Sequence, residues 1–219
     1  MQKPIDHRAL LNDLPWLPEI TDAGLKVTER GFESLTGAVA RLEPGPTGSL
    51  GLSHTEEGRT VRLASAVNPA AEDKSLVERF KPKPGEGVIC IGAGLGYQLE
   101  ELARRLAPDD PIWVFESRPE LAAALLSRNL KDVLARPGFR LFVGPWNGQP
   151  PFGANEAPPA RVLWRPATAR YFAGEYPWFP APAITAPIKK RARRLLLFQT
   201  GYYLDRELLN AAKALDLET

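Results

Sequence analysis

The chain has 219 residues, 28 Lys+Arg against 26 Asp+Glu, a formal net charge of +2 and a single cysteine. A balance this close to neutral gives no electrostatic footprint for nucleic acid or an anionic membrane surface. One cysteine excludes an intrachain disulfide framework and a cysteine-based metal site, and two histidines, His7 and His54, offer no zinc ligand set, so no metal is expected. Hydrophobic residues make up 44% and charged residues 25%, the composition of a globular chain with room for one ordinary domain and a small satellite. No apolar stretch of signal-peptide length follows Met1, and runs such as Leu195–Phe198 are too short to span a bilayer. The expectation is a cytoplasmic chain without membrane insertion. Proline is the unusual total: 22 residues, ten of them between Pro145 and Pro187, which predicts a loop-rich stretch there.

Residues 1–80 read as a small β-rich N-terminal region. Gly24–Arg30, Leu50–Ser53 and Thr60–Ser65 mix apolar and polar residues in alternation, and Glu57-Gly58 between the last two has the form of a hairpin turn. Pro44–Gly48 reads as a loop. Ala71–Phe80 reads as a helix with Leu76, Val77 and Phe80 on one face, closed by the breaker cluster Lys81–Gly87.

Residues 81–188 carry the clearest pattern, a Rossmann-like parallel sheet. Val88–Ile91 and Ile112–Phe115 are short, wholly apolar runs, as expected of strands buried on both faces. Between them Leu99, Leu102, Ala103 and Leu106 recur at helical spacing. Ser117-Arg-Pro-Glu120 has the form of a capping box for a helix running through Leu121, Leu125 and Leu126. A short helix around Leu130–Leu134 leads to a third strand, Arg140–Val143. Arg161–Trp164 is the fourth, and Ala183–Thr185 a weak fifth. Residues 189–219 read as a basic linker, Lys189–Arg194, then the strand Leu195–Phe198 and the helix Asp205–Leu215, the start of a second Rossmann-like unit. The basic run has no interleaved aromatics, which favours a solvated or domain-interface face over a nucleic-acid site.

The candidate site follows from the order of these parts. Gly92-Ala-Gly-Leu-Gly96 stands between a strand and a helix, where glycines permit a sharp exit and close approach of a ligand to backbone. The helix beginning near Gly96 turns free amides toward that ligand. A dinucleotide fingerprint needs its third glycine at position 97, which is Tyr97. GxGxG instead resembles the first motif of class I S-adenosylmethionine-dependent methyltransferases. That resemblance implies an acidic residue at the end of the second strand for the ribose hydroxyls, and Glu116 stands there, followed by Ser117. Gly92, Gly94, Gly96, Tyr97, Glu116 and Ser117 are therefore the candidate cofactor-binding residues, and no catalytic residue is assigned. Where such enzymes carry an acid after the third strand, this chain has Gly144-Pro145-Trp146. Where they carry Asp or Asn after the fourth, it has Arg165-Pro166. Cys90 reads as a small core residue, Trp113 and Trp164 as core or core-edge, and His7 and His54 as surface residues.

Val88–Leu102, Phe115–Glu120, Leu195–Tyr203 and Glu207–Leu215 together also resemble segments of bacterial glycosyltransferase-associated proteins, the motility accessory factor and CgeB-like spore-maturation families. This resemblance implies an N-terminal module of a longer protein, whose partner would be a C-terminal glycosyltransferase domain or an acceptor protein. Three readings follow. The first is an accessory module of a glycosyltransferase binding S-adenosylmethionine or a sugar nucleotide. The second is an active methyltransferase, since transfer between two aligned reactants can proceed mainly by positioning. The third is a structural interaction domain.

Overall fold

In the computed structural model, residues 25–28, 31–65, 67–146, 150–153 and 157–180 are described, and all of them lie within one compact unit. The expected strand Ala183–Thr185, the basic run, the second Rossmann-like unit and His7 lie outside the described residues. No helix among the described residues is long and apolar enough to cross a membrane.

The N-terminal part is an antiparallel meander of five strands in sequence order: β1 (Lys26–Thr28), β2 (Gly31–Glu33), β3 (Val39–Pro44), β4 (Leu50–Glu56) and β5 (Arg59–Arg62). Glu57 and Gly58, at φ 49° and 76°, make the β4–β5 turn, and two left-handed residues in a two-residue hairpin match the right-handed twist of the strands. Strand β3 has no counterpart in the sequence reading. Its Ala40 and Leu42 point inward and are buried, while Arg41 between them is exposed, the period of a strand with one covered face.

Helix α1 (Pro69–Phe80) follows, capped by the Asn68 side chain, which accepts from the Ala71 N–H at 3.0 Å. Then comes the Rossmann-like α/β layer: β6 (Val88–Ile91), α2 (Tyr97–Arg105), β7 (Ile112–Glu116), α3 (Pro119–Leu126), α4 (Lys131–Leu134), β8 (Phe139–Val143), β9 (Arg161–Trp164), α5 (Pro166–Tyr171) and a 3-10 turn at Ala173–Glu175. The four strands are parallel in the order β8-β7-β6-β9. Every residue of β6 and β7 is buried, which is why both read as unbroken apolar runs. The order reverses between β6 and β9, and in open α/β sheets ligands bind at such a switch point, outside the carboxyl ends of the strands.

The two sheets share an interior. One cluster joins Phe32, Leu42 and Leu52 of the meander to Ile89, Phe115 and Leu121 of the α/β layer, and α3 packs on β2 and β3. A second cluster on the other face of the parallel sheet joins Val88, Cys90 and Val114 to Val77 and to Leu99 and Leu102 of α2.

Two expectations are corrected here. The N-cap of α3 is Arg118, with Pro119 in the first turn and no side-chain cap bond, so Ser117-Arg-Pro-Glu120 is not a capping box. Proline's fixed φ suits the first helical position and moves the helix start one residue onward. That frees Glu120 to bond His54, whose Nε2 lies 2.7 Å from Glu120 Oε1. His54 is 1% exposed, not a surface residue. It crosses from β4 to α3 and meets the Phe172 ring edge-on at 5.5 Å.

Candidate functional site

The carboxyl ends of β6, β7 and β9 converge on the glycine loop. Gly92, Gly94 and Gly96 take φ of 75°, 53° and 75°, a left-handed run that side-chain-bearing residues resist. Each faces something different. A Cβ on Gly92 would overlap the Thr168 side chain, one on Gly94 the Arg165 guanidinium, and one on Gly96 would press on Leu125 and Leu130. Gly92 and Gly94 thus border the β6–β9 crevice, whereas Gly96 lets α2 approach the α3–α4 layer. The Gln98 amide ties the loop together, donating to Ala93 O at 2.7 Å and Gly92 O at 3.3 Å.

Tyr97 is turned away from the crevice. Its hydroxyl accepts from the Leu50 N–H at 2.8 Å, and Arg128 lies over its ring at 3.9 Å. It fixes the loop to β4.

Glu116 is the last residue of β7 and is 2% exposed. Its Oε2 accepts from the Ala93 N–H at 3.2 Å, binding strand end to loop. Its Oε1 and the neighbouring Ser117 Oγ are buried with no partner among the described residues. Such groups cost free energy unless something satisfies them. Burial pushes the Glu116 carboxyl up to about 8, against the opposing pull of the Ala93 and Arg118 N–H groups, and the nearby Glu120 and Glu175 carboxylates push it the same way as burial. Tyr176 stands close by: the Ser117 N–H donates to its hydroxyl at 3.0 Å, and burial followed by the Glu116 charge raises its phenol well above the usual range.

A cavity of about 550 Å³ opens beside this strand end, within the range of small-molecule sites. Ser117, Arg118 and Pro145 meet it from the sheet, Trp146 and Trp178 wall it, and Leu35 in the β2–β3 turn forms part of its outer side. Arg118 pairs with Glu56 of β4 at 2.5 Å and Glu175 at 2.6 Å, with its guanidinium 5.2 Å from the Phe172 ring centre. One side chain thereby joins the meander, the end of β7 and the 3-10 turn.

At the end of β9 the sequence has Arg165 where a carboxylate or amide was sought. It is 3% exposed and folds back over the glycine loop. Its Nη2 donates to both oxygens of Asp73 on α1, at 2.8 and 3.0 Å, and Nη1 donates to Leu63 O. Its Nε is buried with no partner among the described residues.

Of the residues expected from sequence, Ser117 lines the cavity and Glu116 stands behind it, bonded to the loop at Ala93, while Gly92 and Gly94 lie under Thr168 and Arg165, and Gly96 and Tyr97 brace the loop from behind. Asp73, Arg165, Trp146, Trp178 and Tyr176 were not found from sequence. Arg165 carried a usable signal, being the first residue after a strand at the carboxyl end of the sheet. Cys90 is fully buried, and that burial pushes its thiol far above the usual range, so it is inert. No cluster of metal-ligating residues occurs among the described residues.

No family model matches the chain. Two curated proteins are similar to it. One is a protein-L-isoaspartate O-methyltransferase of Aeropyrum pernix, 24% identical over 127 residues, covering 58% of this chain and 46% of the relative. The other is a protein-L-isoaspartate O-methyltransferase of Methanopyrus kandleri, 35% identical over 89 residues, covering 40% of this chain and 37% of the relative. The chain spans less than half the length of these relatives. This weak similarity supports a methyltransferase-like fold, in agreement with the sheet order. The CgeB-like resemblance finds no counterpart in these comparisons.

Proposed function

We propose that this chain is a methyltransferase domain of the class I type that binds S-adenosylmethionine, with the adenosine half at Glu116, Ser117 and the adjoining cavity. The observation that carries the reading is the unpartnered Oε1 of Glu116. It is a buried acceptor at the end of the second parallel strand, tied to the glycine loop and next to a cavity of ligand size. The two relatives add independent weight, since both are methyltransferases. An accessory role beside a glycosyltransferase has less support for the same reason.

The residues present fit the group in kind. Glu116 Oε1 and Ser117 Oγ are spare polar atoms suited to ribose hydroxyls, and Trp146 and Trp178 offer flat apolar walls for a purine. When bound, S-adenosylmethionine supplies an electrophilic methyl group on a sulfonium. The chain's own contribution is positioning. Glu116 accepts hydroxyl protons in hydrogen bonds, and Tyr176 with Trp146 and Trp164 excludes water above the strand ends. No general base is assigned. Protein L-isoaspartate, the acceptor in the relatives' names, is the first acceptor to assay.

The test is calorimetric titration of the chain with S-adenosylmethionine and S-adenosylhomocysteine, in wild type and Glu116→Ala. A dissociation constant of about 1–100 μM in wild type, weakened at least about tenfold in the variant, is expected. Absence of binding to wild type overturns the proposal. Binding of a sugar nucleotide in its place, titrated in parallel, would restore the glycosyltransferase-associated reading.

A further inference from the structure

Three carboxylates, Glu56, Glu120 and Glu175, line the cavity against one cation, Arg118. Glu120 has His54 as its own partner. Glu56 and Glu175 have only Arg118 between them, so one negative charge is left over. The guanidinium is fully engaged: Nε and Nη2 donate to Glu175 and Nη1 donates to Glu56. Glu56 is not. It accepts at Oε1 alone among the described residues, and 35% of its side chain is exposed. The aromatic walls complete the setting. Trp146 and Trp178 stand at 67° with ring centroids 5.8 Å apart, which makes a corner of two indoles. Ser117 also lines the cavity. It is 5% exposed and its Oγ has no partner among the described residues, an independent sign that a ligand occupies the space.

We infer that this cavity takes an alkylammonium group of the methyl acceptor, held between Glu56 and Trp178. The role as acceptor rests on the methyltransferase reading above; the cation site stands without it. An indole face attracts a cation through its ring quadrupole, and the spare oxygen of Glu56 supplies the counter-charge where water is partly excluded. An anion in the same place would meet Glu56 and Glu175 and find no free donor on Arg118. The two ligands divide the cavity. Trp146 packs on Phe115 and Tyr176 at the strand end, with the adenosine. Glu56 and Leu35 reach the cavity from the meander, and Leu35, 76% exposed, offers apolar surface to the carbon stem of an ammonium.

The experiment follows tryptophan fluorescence as choline is titrated in, against 3,3-dimethylbutanol, which has the same shape without the charge. Choline should bind in the millimolar range and at least about tenfold more tightly than the neutral compound. Glu56→Gln should reduce that preference to within about threefold, and Trp178→Leu should weaken choline by about fivefold or more. Equal binding of the two compounds by wild type overturns the inference, as does a preference that survives in both variants. Choline should bind equally to the chain saturated with S-adenosylhomocysteine; displacement of that ligand by choline overturns the assignment to the acceptor. Choline binding by a chain that does not bind S-adenosylhomocysteine keeps the cation site and overturns the methyltransferase reading, and the reverse result does the opposite. N-acetyl-lysine amide, run against N-acetyl-norleucine amide, then separates the sources: binding tighter than that of choline assigns the ammonium to a protein side chain, weaker binding to a free amine.

Discussion

Glu116→Gln tests the burial of the site's key carboxyl without any ligand. In the folded chain the carboxyl sits at about 8, against an ordinary 4.5. Between those values the folded state holds a proton that the unfolded state has released. Stability from this group is therefore fully present below about pH 4.5 and is lost as pH rises through 8. The loss runs at about 1.4 kcal/mol per pH unit across that window, so from pH 5 to pH 7.5 it amounts to about 3 kcal/mol. Glutamine keeps the shape and the acceptor for the Ala93 N–H and never ionises. Urea unfolding of both proteins at pH 5, 6, 7 and 7.5 gives the difference in stability, in which titrating groups remote from Glu116 cancel. The variant should gain about 2–4 kcal/mol on wild type over that range. A difference that stays constant to within about 0.5 kcal/mol would refute the assignment of a raised carboxyl to this position.

Other outcomes follow from the same geometry. On the proposed function, ribose hydroxyls would donate to the ionised form of Glu116, so S-adenosylhomocysteine affinity measured by calorimetry should rise with pH, up to about tenfold per unit, and level off above about 8; Glu116→Gln should remove the dependence. Gly92→Ala should cost about 3 kcal/mol or more in urea unfolding, because its φ is left-handed and the new Cβ strikes Thr168. Adding Thr168→Ala should recover only part of this, since the Thr168 Cβ is itself in the way. His54→Leu should cost about 3–5 kcal/mol by leaving Glu120 buried without its partner, and adding Glu120→Leu should restore much of it, as read by thermal denaturation.

The α/β layer was legible because its central strands are buried on both faces. Val88–Ile91 and Ile112–Phe115 leave no polar position to blur the pattern. The Glu57-Gly58 turn was legible because its backbone demands what those residues tolerate. Strand β3 was not, since only Ala40 and Leu42 turn inward and a proline ends it. The false capping box shows how a local pattern yields to two stronger facts, Pro119 in the first helical turn and a buried histidine that claims Glu120. In the candidate site, Gly92, Gly94 and Glu116 could be placed because strand, loop, helix and strand fix them relative to one another. Arg165 could not be joined to Asp73, nor Tyr176 to Ser117, because 92 and 59 residues separate them. Only the folded sheet brings such partners together.

The Arg118 contacts have a kinetic side. Its partners Glu56 and Glu175 keep 35% and 30% of their side-chain surface in water, so dissolved ions reach and screen both pairs. Glu116 is shut away from those ions. Salt should therefore loosen the Arg118 pairs at the cavity while leaving the buried strand end behind it untouched. In a stopped-flow experiment, ligand would enter and leave faster at high ionic strength with little change in the ratio of the two rates. The half-buried Arg118 guanidinium would then govern the rates of entry and exit, while the buried carboxyl behind it governs the affinity.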